Sequence, residues 1–439
     1  MTVESSAIGH HSARASGDPD RPYDDVDISS RDFWSGDMFD REKRFAQLRA
    51  KDSITWHPPF QDQLIDDPED HGFWAVTKYD DVVEVSKRHQ DFLSGEGVLM
   101  ESLPPEFVEA VQSFIGMDPP RHTKLRRLVA AAFTYKQMRR IDEMVEQIAV
   151  SAVRNLLAKA EANGGQADFV AECAELVPMN SINDMMAVPE GKREEAARQA
   201  KISMSWNDPE IVGHTRDEVM ASLIGANMYC HELATSLVAE RRANPGEDLI
   251  TSLAQAEIDG ERLTDHEIGS FFTLLTVAGN DTTRQASSHA LVALTAFPEQ
   301  RRWLLEDLEG RMGTAIEELV RWATPIITFR RTASRDLEFR GRQITKGDKV
   351  VLFYSSANWD GTRIERPHEL DLSRKPNPHL GFGGGGIHHC LGNQLARTQL
   401  RAIMTELFTR APDIRAGDPE LVTSNFLNSV KRLPCTPNP

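Results

Sequence analysis

Thr264 to Phe297 carries a helical pattern of about 33 residues, roughly 50 Å at 1.5 Å per residue, and a helix that long crosses a whole domain. Thr264, followed by Glu267, has the capping-box pattern of a helix start, and Pro298 ends the run. At its centre stands Ala278-Gly279-Asn280-Asp281-Thr282-Thr283, with apolar Phe271, Phe272, Leu275 and Val277 before it and Ala290, Leu291 and Leu294 after it. Gly279 costs about 1 kcal/mol relative to Ala in a helix interior. Asp and Thr side chains compete there for backbone hydrogen bonds, so the longest helix is weakest in its middle. Small residues let a flat ligand approach, and an acid–alcohol pair can hold water and pass protons. The same residues also fit a glycine-induced bend with a solvated Asp281 and back-bonded threonines.

A second feature lies near the C-terminus, in Gly381-Phe382-Gly383-Gly384-Gly385-Gly386-Ile387-His388-His389-Cys390-Leu391-Gly392. This glycine-rich loop delivers one cysteine to the start of a helix expected from Asn393 to about Thr409, where Leu395, Ala396, Leu400, Ile403 and Leu407 fall at helical spacing. A thiol at a helix N-terminus feels unpaired N–H groups and the positive dipole end, which favour thiolate. The glycines let the backbone pass close to something flat and bulky. A thiolate so held suits an axial ligand to haem iron. A phosphate cradle or a plain turn is the alternative, although the Lys and Ser/Thr that a phosphate loop needs do not follow.

Net charge is −17, from 50 basic and 67 acidic residues, which argues against nucleic acid or an anionic membrane surface as a general partner. Cys173, Cys230, Cys390 and Cys435 lie far apart with no CxxC pair, so neither a disulfide scaffold nor a zinc module is expected, and a reducing, cytoplasmic setting is. No run of 18 apolar residues could span a membrane. Residues 1–25 lack an apolar signal core and read as a disordered tail. The 439-residue length alone suggests roughly three domains. No linker divides residues 25–435, however, so 26–439 reads as a single large domain, mainly α with minor β-sheets.

Helices are expected at 33–50, 79–89, 121–133, 136–162, 181–188, 192–206, 214–243, 247–256, 298–308 and 311–323. Strand-like runs lie near 54–56, 73–77, 326–332, 337–339 and 349–354, and a hairpin near 421–433. Between them, 94–114 is a Gly- and Pro-punctuated apolar loop, with Val98, Leu99, Leu103, Phe107 and Val111, and is a candidate substrate lid. Glu318 and Arg321 share one helix face. His122 and Arg126 share another, where two donors aimed the same way suit a carboxylate pair or form a solvated basic face. Arg331 sits in a strand otherwise suited to burial.

Together, and in this order, these motifs resemble the cytochrome P-450 superfamily of haem-thiolate monooxygenases. The family's F-x-x-G-x-[R/H]-x-C-x-G signature is matched by Gly386, His388, Cys390 and Gly392, with Phe382 eight rather than seven residues before the cysteine. Its A/G-G-x-D/E-T-T signature is matched by Ala278, Gly279, Asp281, Thr282 and Thr283, and E-x-x-R by Glu318 and Arg321. The resemblance covers nearly the whole chain from about residue 30, and the longer glycine run with Met117–Arg126 looks most like actinobacterial members that oxidise branched lipids, steroids and terpenoids.

The resemblance implies haem b with Cys390 as axial thiolate, near Ala278 and Phe382, and a proton-delivering pair in Asp281 and Thr282. It implies that His122, Arg126, Arg331 and His388 hold the haem propionates. It makes Glu318 and Arg321 structural, with a third basic partner expected near Pro367-His368-Glu369-Leu370, where His368 is the candidate. Val98, Leu99, Val277, Ile326, Ile327 and Phe426 are expected to line a pocket for a small lipophilic substrate. O2 is the co-substrate, a ferredoxin and ferredoxin reductase supply electrons, and a monomer is expected. Arg127, Arg139, Arg140 and Arg401 are candidates for the ferredoxin-docking patch. The same motifs would serve a tailoring oxidase of macrolides or cyclic peptides. A non-catalytic haem sensor is disfavoured because it needs no Asp281–Thr282 relay.

Overall fold

The computed structural model describes residues 20–61, 63–65, 67–102 and 114–438. The central helix runs unbroken over Asp265–Ala296, and both bonds of its capping box form: Glu267 N–H donates to Thr264 Oγ1 at 3.1 Å and Thr264 N–H to Glu267 Oε2 at 2.9 Å. Helices Leu176–Met185, Glu190–Met204, Arg216–Ala243, Leu308–Ala323 and Asn393–Arg410 pack around it. The helix continues through the central glycine without a break. A Cβ on Gly279 would lie 2.6 Å from Ile182 Cδ1, so the missing side chain lets the Leu176–Met185 helix approach.

Beside the helices lies a five-stranded sheet in the order Thr55–His57, Phe73–Val76, Lys349–Phe353, Thr328–Ala333, Phe92–Leu93. The register pairs Val350 with Arg331 and Val351 with Arg330, and successive strand residues face opposite sides, so these two neighbouring arginines serve different sites. The expected C-terminal hairpin forms from Glu420–Val422 and Ser429–Arg432.

Several elements depart from expectation. The helix expected over 33–50 is two, Arg31–Ser35 and Met38–Arg49. Gly36 separates them, and Asp37 Oδ1 caps the second by accepting from Phe39 and Asp40 N–H at 2.8 Å each. The helix expected at 181–188 starts earlier, at Leu176, behind a π-helical turn over Val170–Ala174. A two-residue strand, Ala167–Asp168, pairs with Pro434–Thr436 and is too short for any periodicity. The tail boundary at residue 25 also moves. Arg21 stacks over Trp56 and Trp74 and pairs with buried Asp348 at 2.9 Å, and Lys51 holds Asp24 at 2.7 Å. Of the expected lid, Leu103, Phe107 and Val111 lie outside the described residues. Among the described residues no helix is long and apolar enough to cross a membrane.

Candidate active site

The central helix and the glycine-rich cysteine loop both line one cavity of about 1100 Å³. On the central helix, Leu275, Ala278, Gly279, Thr282 and Ala286 recur at helical spacing and line it. Thr282 Oγ1 donates to Ala278 O at 2.8 Å. Asp281 does not share this face, because adjacent helical residues point about 100° apart. It is buried on the far side and pairs with Arg284 at 2.5 Å. Arg284 lies 3.7 Å from Glu175, and Glu175 meets Lys201 at 3.1 Å. Burial raises the Asp281 carboxyl above its ordinary pKa, with Arg284 opposing. The expected acid–alcohol pair is thus split, with Thr282 in the cavity and Asp281 behind it in a chain of charges.

The glycine-rich loop forms another wall and brings Phe382, His388 and Cys390 to the cavity. Cys390 N–H donates to Phe382 O at 3.0 Å, closing the loop on itself. The Phe382 ring packs under the Arg397 guanidinium, 4.3 Å from its centroid, so the extra glycine does not displace it. The glycines answer to the Tyr79–Lys87 helix. A Cβ on Gly384 would collide with Ser86 Oγ, and one on Gly386, which has φ +76°, with Ser86 O. Burial pushes the Cys390 thiol up, against the Gly392 N–H and the charges of Arg126 and Arg397. Gly392, not Cys390, is the N-cap of the Asn393–Arg410 helix, so the dipole acts from further away.

One edge of the cavity gathers the expected cationic group. Arg126, Arg331 and His388 line it. His122 lies just behind, with its ring 4.4 Å from that of His388. His122 is buried, and neither of its ring nitrogens has a hydrogen-bond partner among the described residues. Arg331 is buried with one hydrogen bond, to Arg330 O at 2.7 Å, and no carboxylate within ion-pair range among the described residues. Arg126 donates to His389 O. His388 Nε2 lies 3.1 Å from Ser94 Oγ. Burial, then Arg331, His122 and Arg126, push its pKa down to about 2, so it is neutral.

Val98, Leu99, Val277, Ile326 and Phe426 line the cavity as expected, and Ile327 does not. Ile326 bridges Leu427, and the next residue in an extended segment points the other way. Ile327 therefore joins Phe73, Val351 and Phe353 in a separate apolar cluster.

Glu318 and Arg321 form a fully buried bidentate pair at 2.8 Å on both arms. The third base is Arg374, whose Nε donates to Glu318 Oε2 at 3.0 Å. His368 instead meets Glu42 at 3.0 Å. Nothing local to Arg374 marks it, since the fold of the preceding coil carries it there. On the surface, Arg127, Arg139 and Arg140 pair with Asp259, Glu143 and Glu247 at 3.8, 3.4 and 3.7 Å. Arg401 is exposed and has no ion pair among the described residues.

Known proteins resemble this chain in sequence and in fold. The family profile described as Cytochrome P450 matches residues 68–410. A methyl-branched lipid omega-hydroxylase of Mycobacterium bovis is 41% identical over 419 residues, covering 95% of this chain and 96% of that protein. A steroid C26-monooxygenase of Rhodococcus jostii is 38% identical over 398 residues, covering 89% and 80%. A Mycobacterium marinum cytochrome P450 solved in complex with pseudoionone is 53% identical with a TM-score of 0.88, covering 95% of this chain and 99% of that one. Motifs, fold and relatives agree, and the chain belongs to the cytochrome P450 family.

Proposed function

We propose that this cytochrome P450 monooxygenase binds haem b through the Cys390 thiolate and inserts one oxygen atom from O2 into a C–H bond of a branched lipid, steroid or terpenoid. The observation that carries the reading is the large cavity whose mostly apolar wall ends on Cys390, faced by Thr282. Such a wall selects a lipophilic substrate by shape. The named activities of the relatives, on methyl-branched lipids and steroids, point the same way.

The residues fit the cofactor. Among the described residues, the nitrogens of buried His122 have no partner and buried Arg331 has no carboxylate, which leaves an unfinished set of donors. With Arg126 and His388 they would hold two propionates, and Ala278, Phe382 and Cys390 would face the macrocycle. When bound, haem supplies oxygen activation, with the thiolate favouring O–O cleavage. The chain supplies position and protons. The Thr282 hydroxyl holds the proton donor in the cavity. Asp281, whose raised pKa favours carrying a proton, is reached from the surface through Arg284, Glu175 and partly exposed Lys201.

Electrons would come from a ferredoxin and its reductase. Arg401 is the leading docking residue, because Arg127, Arg139 and Arg140 are already partnered by acids. The four unpaired cysteines fit a reducing cytoplasm.

The test is to titrate the ferric protein with a sterol, a terpenoid, a branched fatty acid and a macrolide while following the haem absorption. A saturable shift toward high spin with one of the lipids is expected. A shift with the macrolide alone would overturn the lipid reading, and Cys390→His should abolish oxygenation.

A further inference from the structure

The cavity is not apolar throughout. At its outer end, away from Cys390, the Arg216–Ala243 helix and the start of the central helix contribute Asn227, His231, Glu232, His266 and Ser270. The rings of His231 and His266 stand 5.0 Å apart, and neither imidazole has a hydrogen-bond partner among the described residues. The position is built: a Cβ on Gly269 would lie 2.9 Å from His231 Cε1 and Nδ1, so the bare glycine lets this imidazole rest on the central helix. Ile224 and Met228, 45% and 57% exposed, give the same end an apolar rim. From His266 to Thr282 is about 24 Å of helix at 1.5 Å per residue.

We propose that His231 and His266 form a hydrogen-bonding subsite for an uncharged hydroxyl at one end of an otherwise apolar substrate, so that oxidation falls at the opposite end. The inference rests on the lipid-hydroxylase reading and names the substrate's polar terminus. A neutral imidazole offers one donor and one acceptor, the same pair that a hydroxyl offers. The local charge disfavours a carboxylate. Glu232 lines this end of the cavity and Glu267 follows His266, while the nearby cation Arg242 is occupied by Asp265 at 2.7 Å. Burial and the neighbouring His266 lower the pKa of His231, and Glu232 opposes.

The experiment uses the haem-loaded enzyme and one branched long-chain skeleton as alcohol, carboxylic acid and plain hydrocarbon. Binding is read from the haem spectral shift, and the oxidised carbon from mass spectrometry of the product. The wild type should bind the alcohol about tenfold more tightly than the hydrocarbon, as about 1.4 kcal/mol of added hydrogen bonding implies. It should oxidise the alcohol at the far end. His231→Phe should cut the preference to within about twofold, and His231→Gln, which keeps a donor and an acceptor, should retain it. His266→Phe gives a second reading should His231→Phe fold poorly. Equal affinity for alcohol and hydrocarbon in the wild type, a preference surviving in both Phe variants, or tightest binding by the acid would each overturn the subsite while leaving the lipid reading intact. No shift with any of the three would overturn both.

Discussion

Thr282 and Asp281 are neighbours in sequence that the helix sends to different places, and their roles separate accordingly. Thr282 lines the cavity, whereas Asp281 is buried against Arg284, which lies 3.7 Å from Glu175. Thr282→Ala should therefore leave substrate binding and haem content unchanged. Product formed per O2 consumed should fall by about tenfold or more, the low end for a proton-transfer group being about a hundredfold in rate. Peroxide should appear in its place, measured by parallel oxygen-electrode, peroxide and product assays. Thr282→Ser should retain most of the coupling. Unchanged coupling in the Ala variant would remove the hydroxyl from proton delivery.

At the scale of elements, the cysteine loop is held by the helix it lies on. Two of its glycines meet the same residue in different ways, Gly384 at the Ser86 side chain and Gly386 at the Ser86 carbonyl with φ +76°. Gly384→Ala and Gly386→Ala should both reduce haem incorporation and lower Tm, by a strain of about 1–3 kcal/mol each. Adding Ser86→Gly should restore much of the loss in the Gly384 variant, since it removes the colliding atoms. It should restore nothing in the Gly386 variant, where backbone meets backbone. Equal rescue of both would show that the loop is not packed this way. The Glu318–Arg321 pair likewise reads as an ordinary i, i+3 pair in sequence. Only the coil that brings Arg374 and Asn377 to Glu318 makes it a buried network.

For the whole molecule, buried neutral histidines set a limit toward acid. Burial pushes His57 and His289 down to about 4 each. Their folded pKa values lie below the ordinary 6.5, so below that pH the unfolded chain binds more protons than the folded one. Their contribution is complete above pH 6.5 and is lost as pH falls toward about 4, at about 1.4 kcal/mol per pH unit for each histidine. Tm should fall between pH 7 and 5. His57→Gln and His289→Gln should each flatten that dependence, whatever they do to Tm at pH 7. A wild-type Tm that is level across this range would contradict the burial described here.

Local chemistry and short repeats made part of this protein legible from its sequence. The helix at 265–296 could be read from its periodicity and its cap, and Cys390 and Thr282, singled out by their local motifs, line one cavity. Orientation and long-range partnership were not legible. That the Asp281–Arg284 pair meets Glu175, that Ile327 faces away from the cavity, that Arg374 completes the pair at Glu318, and that Ser86 dictates the glycines all depend on elements tens to hundreds of residues apart meeting in space. The thiol of Cys390 shows the same division. Its place near a helix start is written locally, but the burial that pushes the thiol up comes from elements far away in sequence, which only the packed structure brings together.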